Sequence, residues 1–154
     1  MNISTLSPAA RLVADAQALV ETLDAEQFAE EVKRDGVVLI DLREQAERKA
    51  HGAIPGAVHI PRGMLEFCAD PALPVHADEL TADRRILLYC ARGSRSALAA
   101  MTLMTMGFPF VAHLAGGFPS WVQAGGAVDT SPAEAARWTT VLAREPAGKP
   151  DQRA

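Results

Sequence analysis

The sequence predicts an α/β domain, a mostly parallel sheet with helices on both faces. Three observations carry this expectation. Residues 37–40 and 86–90 are short, apolar runs, the pattern of strands covered on both sides, and 110–114 reads as a further strand. Stretches with apolar residues three and four apart lie between them, as amphipathic helices require. The chain has 154 residues, 49% hydrophobic and 22% charged, which suits one globular core and leaves no room for two.

In chain order, residues 11–20 read as a short Ala-rich helix. Asp24 followed by Gln27 forms a capping arrangement that opens a second helix, with Phe28, Ala29 and Val32 on its inner face and Gly36 closing it. The strand at 37–40 ends on Asp41, Leu42 and Arg43, and a short helix over 44–50 follows. Pro55 and Gly56 make a tight turn before a brief strand at 58–60, which Pro61 stops. Residues 62–77, interrupted by Pro71 and Pro74, read as an irregular excursion. After the strand at 86–90 the ARG tripeptide breaks the pattern, and SALAAMTLMTM forms an apolar helix closed by Gly107. The strand at 110–114 leads through Gly116 and Gly117 into a short helix over 118–124. A last helix is expected at 132–144, with Trp138, Val141 and Leu142 on one face, before a polar tail expected to be disordered.

Several function classes are disfavoured. No apolar stretch approaches the roughly 18–20 residues that span a bilayer, and the N-terminus lacks a basic region followed by an apolar block. Lys and Arg number 15 against 19 Asp and Glu, scattered along the chain, so neither nucleic acid nor a membrane surface is an expected partner. Two cysteines, Cys68 and Cys90, are too few for a disulfide scaffold and lack metal-ligand spacing. A cytoplasmic protein with reduced thiols, no metal and no organic cofactor is the expectation.

Ligands of open parallel sheets bind beyond the carboxyl ends of the strands. Asp41 to Arg43 and Cys90 to Arg95 both follow directly on an apolar strand, so both belong to that edge. Cys90 stands where a buried strand meets a helix N-terminus, whose dipole and unpaired N–H groups favour a thiolate. Its loop carries Arg92 and Arg95 and no acid, and Gly93 lets successive N–H groups converge above the sulfur as in an anion-binding nest. A lone cysteine at a strand end is ordinarily a small buried hydrophobe. Two arginines and a glycine at the turn make the chemical role the better reading.

The loop CARGSRS resembles the active-site loop of the rhodanese domain. DLRE after the first long strand, IPGAVHIP in the middle and LAGGFPSWVQAGG after the loop resemble the same family in the same order, over roughly residues 22–128. RGMLEF, from Arg62 to Phe67, is similar to small bacterial single-domain members with a preceding N-terminal helix. This layout gives an N-terminal helical extension over 1–21, a rhodanese-like domain over 22–128, and a C-terminal helix and tail over 129–154. The resemblance implies a five-stranded parallel sheet and a sulfurtransferase. Cys90 would take the outer sulfur of a donor such as thiosulfate as a persulfide and pass it to a thiol or cyanide. The backbone of Ala91, Arg92, Gly93, Ser94, Arg95 and Ser96 would cradle that persulfide, and Arg92 and Arg95 would receive the anionic donor. One departure stands out: many relatives have a histidine where this chain has Ala53, and His51 lies one position ahead of Gly52, so His51 is given no catalytic role.

Two rival classes remain. A cysteine phosphatase or arsenate reductase also uses a thiolate in an Arg-bearing nest, but such phosphatases place Arg six positions after Cys, where this chain has Ser96. A non-catalytic interaction module fits poorly with an intact basic loop. Asp41 and Arg43 either orient the cysteine loop or serve locally, Asp41 as cap of the helix near Glu44. His59 and His113 read as structural, Trp121 and Trp138 as packing residues, and Cys68 as a partly buried thiol rather than a resolving one. The resemblance alone suggests Arg62 and Glu66 as neighbours of the pocket mouth.

Overall fold

The computed structural model describes residues 5–133. Five strands, β1 (Glu21–Leu23), β2 (Val38–Asp41), β3 (Val58–His59), β4 (Ile86–Tyr89) and β5 (Val111–Leu114), form one sheet in the order β1-β5-β4-β2-β3. Every pairing is parallel. The helices are α1 (Pro8–Leu19), α2 (Ala25–Val32), α3 (Gln45–His51), α4 (Leu65–Ala69), α5 (Ser94–Thr105) and α6 (Phe118–Gln123). No described helix is long and apolar enough to cross a membrane. The helix expected at 132–144 lies, beyond Ala133, outside the described residues.

Alternation along each strand divides the core in two. Val38, Ile40, Ile86, Leu88 and Val111 pack with Leu65 and Cys68 of α4 and Ala99, Ala100 and Leu103 of α5. Leu39, Leu87, Tyr89, Ala112 and Leu114 meet Phe28 of α2 and Phe118 and Trp121 of α6 on the other face. Leu88, Leu103 and Phe28 are fully buried, and each contributes about 1.5–3 kcal/mol through removal of its apolar surface from water.

Three elements differ from the sequence expectation. The first helix begins at Pro8 rather than near residue 11, because Ser7 caps it, accepting the Ala10 N–H, and proline is suited to the first turn. It packs against α5. The strand β1 had no apolar run to reveal it: only Leu23 of its three residues points inward. The excursion at 62–77 contains a 3-10 turn over Arg62–Met64 and then α4, whose Leu65, Cys68 and Ala69 are buried at helical spacing. The expected capping of α2 is present in full, with Gln27 N–H donating to Asp24 at 2.8 Å and Asp24 N–H to Gln27 at 3.0 Å.

Candidate active site

Cys90 follows the last residue of β4, in the middle of the sheet, and the chain turns there into the 12-residue α5. Gly93 makes this turn possible: at φ 93° it occupies left-handed backbone space, which costs a side chain strain that glycine avoids. The turn directs the N–H of Gly93 to Cys90 Sγ at 3.1 Å and that of Ser96 at 3.4 Å. Ser96 Oγ lies 3.5 Å from the sulfur. Two backbone donors and the positive end of α5 thus converge on one sulfur atom, an arrangement that stabilises negative charge there.

The cysteine loop rests on the turn between β5 and α6. Phe118 N–H donates to the Cys90 carbonyl at 2.9 Å. A Cβ on Gly117 would come within 2.5 Å of the Ala91 carbonyl carbon and 2.6 Å of Arg92 N. Only a glycine, here with φ 70°, lets the two loops lie this close. The GGFPSW segment therefore supports the cysteine loop from beneath.

Above the sulfur opens a cavity of about 840 Å³ lined by Cys90, Ala91, Arg92, Ser94 and Arg95, by Arg43, Glu47 and His51, and by Phe118, Pro119, Val122 and Gln123 of the α6 segment. The two arginines expected to act alike differ in their surroundings. Arg95 donates from both terminal nitrogens to Glu47 of α3, at 2.8 and 2.7 Å. Hydrogen bonds from Arg95 outweigh the effect of burial and hold the Glu47 carboxyl at about 2, and the same pair raises the Arg95 guanidinium above its ordinary value. Arg92 is exposed and has no ion pair among the described residues. The mouth therefore presents one uncommitted cation and one neutralised pair. Glu47 had escaped the sequence reading, since nothing in the spacing of α3 and α5 announces that they meet.

Asp41 and Arg43 are buried beside this cavity. Arg43 donates to both oxygens of Asp41 at 3.0 and 2.8 Å and to the Gly52 carbonyl at 2.7 Å. Arg48 also donates to Asp41 at 3.1 Å, and the Tyr89 hydroxyl at 2.7 Å. Burial opposes the charge on Arg43, but Asp41 more than offsets it; burial, then Asp41, pushes the Tyr89 phenol upward. The Arg43 guanidinium carbon sits 4.3 Å from the Phe118 ring centroid. Two expectations are corrected here. Asp41 does not cap α3: Glu44 and Glu47 form that capping box, while the Asp41 carboxylate turns inward to two guanidinium groups. Nor do the side chains of Asp41 and Arg43 hydrogen-bond to the 90–96 loop; Arg43 reaches the site as a cavity wall and through Phe118. Arg48 and Tyr89, which complete this cluster, had not been singled out in the sequence.

His113 is buried in β5, its Nδ1 2.9 Å from Ser96 Oγ and its Nε2 3.0 Å from Thr22 Oγ1. His59 Nε2 donates to the Arg43 carbonyl at 2.6 Å, and its buried Nδ1 has no partner among the described residues. Trp121 packs edge-on to Phe28 and donates to the Ala127 carbonyl, as a packing residue does. Arg62 pairs with Glu66 and reaches Thr102, outside the cavity wall. Cys68 is fully rather than partly buried, in α4, and neither cysteine is in a disulfide.

These features have counterparts in known proteins. A family model, the rhodanese-like domain, matches residues 24–124. A sulfurtransferase of Allochromatium vinosum is 32% identical over 108 residues, covering 70% of this chain and 92% of that protein. The thiosulfate sulfurtransferase GlpE of Pseudomonas fluorescens is 31% identical over 96 residues, 62% of this chain and 79% of that protein. A solved structure from Rhodopseudomonas palustris, described as a protein of unknown function and possible tyrosine phosphatase, superposes with a TM-score of 0.75 at 36% identity, over 84% of this chain and 99% of that one. The match spans β2 to β5, the cysteine loop and the glycine turn beneath it, and on that ground the chain belongs to the rhodanese-like domain family.

Proposed function

We propose that the protein is a sulfurtransferase in which Cys90 carries the transferred sulfur. The observation that supports this most is the sulfur of Cys90 under two converging backbone N–H groups, at 3.1 and 3.4 Å, on the floor of a cavity with Arg92 uncommitted at its mouth. The Cys90 thiolate attacks the outer sulfur of thiosulfate; a new S–S bond forms, the S–S bond of the donor breaks, and sulfite departs with the electron pair. The persulfide so formed keeps its negative charge near the same N–H groups. A thiol or cyanide then takes the outer sulfur and restores the thiolate. Splitting one transfer into two displacements is what covalent catalysis gains. In this reading Arg92 draws the anionic donor in, and Ala91, Gly93, Ser94 and Ser96 contribute backbone around the persulfide. Arg95 acts with Glu47 as a unit, and Asp41 and Arg43 brace the cavity wall. The two cysteines outside any disulfide fit a reducing, cytoplasmic setting.

The experiment is a thiosulfate-to-cyanide assay on wild type and Cys90→Ser. Activity is expected in the first and background in the second, with unchanged folding. Near-wild-type turnover by the variant overturns the assignment.

A phosphatase is the second reading, favoured by the description of the Rhodopseudomonas palustris structure. Against it, Arg95 stands five positions after Cys90 and is bound to Glu47, which leaves a loop suited to one sulfur better than to a tetrahedral phosphate. Rapid, Cys90-dependent turnover of an aryl phosphate would promote this reading over the first.

A further inference from the structure

Cys90, Ser96, His113 and Thr22 form one continuous hydrogen-bonding chain that crosses from the centre of the sheet to its β1 edge. Ser96 Oγ is 3.5 Å from Cys90 Sγ and 2.9 Å from His113 Nδ1, and His113 Nε2 is 3.0 Å from Thr22 Oγ1. Ser96 and His113 are buried, at 0% and 1% exposure, whereas Thr22 is exposed. We propose that His113 is a positioning residue for Cys90: through Ser96 it turns a hydroxyl hydrogen onto the sulfur, and with Thr22 it gives the thiol proton a route to water. The inference rests on Cys90 as the reacting thiol.

The proton balance is closed. With Cys90 as thiol, S–H donates to Ser96 Oγ, the Ser96 hydroxyl to His113 Nδ1, and His113 Nε2–H to Thr22. With Cys90 as thiolate every bond reverses: the Thr22 hydroxyl donates to Nε2, Nδ1–H to Ser96, and the Ser96 hydroxyl to the sulfur. Between the two states each hydrogen moves to the next atom along the chain, and the Thr22 hydroxyl proton passes to water. The imidazole carries one proton at both ends of the process, in keeping with burial, which lowers its affinity for a second. Without His113, Ser96 Oγ is left with the Gly93 carbonyl, 3.2 Å away, as acceptor, and its hydrogen turns from the sulfur. The residues around His113, namely Thr22 of β1, Leu88 paired with it on β4 and Ser96 of α5, are uncharged. The charged groups facing Cys90 across the cavity are Arg92, the Arg95–Glu47 pair and Arg43 with Asp41, together with titratable His51. All stay in place in the variants below.

The test is the rate of Cys90 alkylation by iodoacetamide across its pH profile, followed on the Cys90 peptide by mass spectrometry, in wild type, His113→Leu, His113→Asn, Ser96→Ala and Thr22→Val. Asparagine can place an N–H where Nδ1 stands; leucine fills the volume with no donor. His113→Leu and Ser96→Ala should each move the midpoint up by about one pH unit, a tenfold slower reaction at fixed pH below it, with the alkaline plateau unchanged. Combining them should add nothing more. His113→Asn should stay within about twofold of wild type, and exposed Thr22→Val, which leaves the core intact, should shift the profile in the same direction as His113→Leu. A His113→Leu profile that overlays the wild type, a leucine-like His113→Asn, an unshifted Thr22→Val, or a change in the plateau alone overturns the proposal. No sulfur donor is present, so failure here is distinct from failure of sulfur transfer, which the thiosulfate assay reads separately.

Discussion

Glu47 and Arg95 offer a way to set the charge of the cavity by one unit in either direction. Their side chains form a two-bond pair at 2.7 and 2.8 Å beside Cys90. Arg95→Ala leaves the Glu47 carboxylate facing an incoming anion; Glu47→Gln leaves the Arg95 guanidinium free to attract it. A unit charge about 7 Å from a dianion, at an effective dielectric of about 40, acts with roughly 2 kcal/mol. Solvent screening at a site about one-third exposed reduces this to about 1.4 kcal/mol, or tenfold in rate. Persulfide formation from thiosulfate, followed by stopped-flow in dilute buffer, should therefore slow about tenfold in Arg95→Ala and quicken by a similar factor in Glu47→Gln. The double variant restores the net charge and should return to within about threefold of wild type. Both single effects should shrink as salt is added. Slower loading in Glu47→Gln, or no change in Arg95→Ala, refutes the electrostatic account of the mouth.

The Glu47 carboxyl, held at about 2 against its ordinary 4.5 chiefly by Arg95, contributes stability that is complete above the higher value and lost as pH falls towards the lower. The difference in urea midpoint between wild type and Glu47→Gln should disappear across that acid interval; a difference that grows there contradicts the sign. Asp41→Ala strips the buried Arg43 and Arg48 of their shared carboxylate and should cost about 3–5 kcal/mol in urea unfolding, with a loss below about 1 kcal/mol counting against the cluster. Gly117→Ala drives a Cβ into the backbone beneath Cys90, whereas Gly56→Ala, also at positive φ, meets nothing within 4 Å. The second should lose about 1–2 kcal/mol of strain energy and the first clearly more. Equal melting temperatures for the two would show that the close approach at Gly117 is immaterial.

The central strands could be read from the sequence because β2, β4 and β5 are buried on every residue and so appear as predominantly apolar runs, with only Asp41 at the end of β2 and His113 within β5 polar. The position of Cys90 followed from the same logic, as a polar loop directly after such a run. What stayed hidden depends on tertiary proximity. Glu21–Leu23 is an edge strand that β5 recruits, with too few inward residues to show a period. Leu65, Cys68 and Ala69 carried a helical spacing that the neighbouring prolines obscured. The pairing of Arg95 with Glu47 joins residues 48 positions apart, and only the packing of α3 beside the cysteine loop brings them together. His113 reads from the sequence as a structural histidine, and its hydrogen-bond partner Thr22 lies on the strand that the sequence conceals.

The central claim is that Cys90 carries sulfur, and intact mass spectrometry tests it most directly. Purified protein mixed with thiosulfate should gain the mass of one sulfur atom, located to the Cys90 peptide, and cyanide should remove it with release of thiocyanate; Cys90→Ser should gain nothing. A wild-type protein that stays unmodified under saturating thiosulfate, or an adduct that persists in Cys90→Ser, contradicts the account.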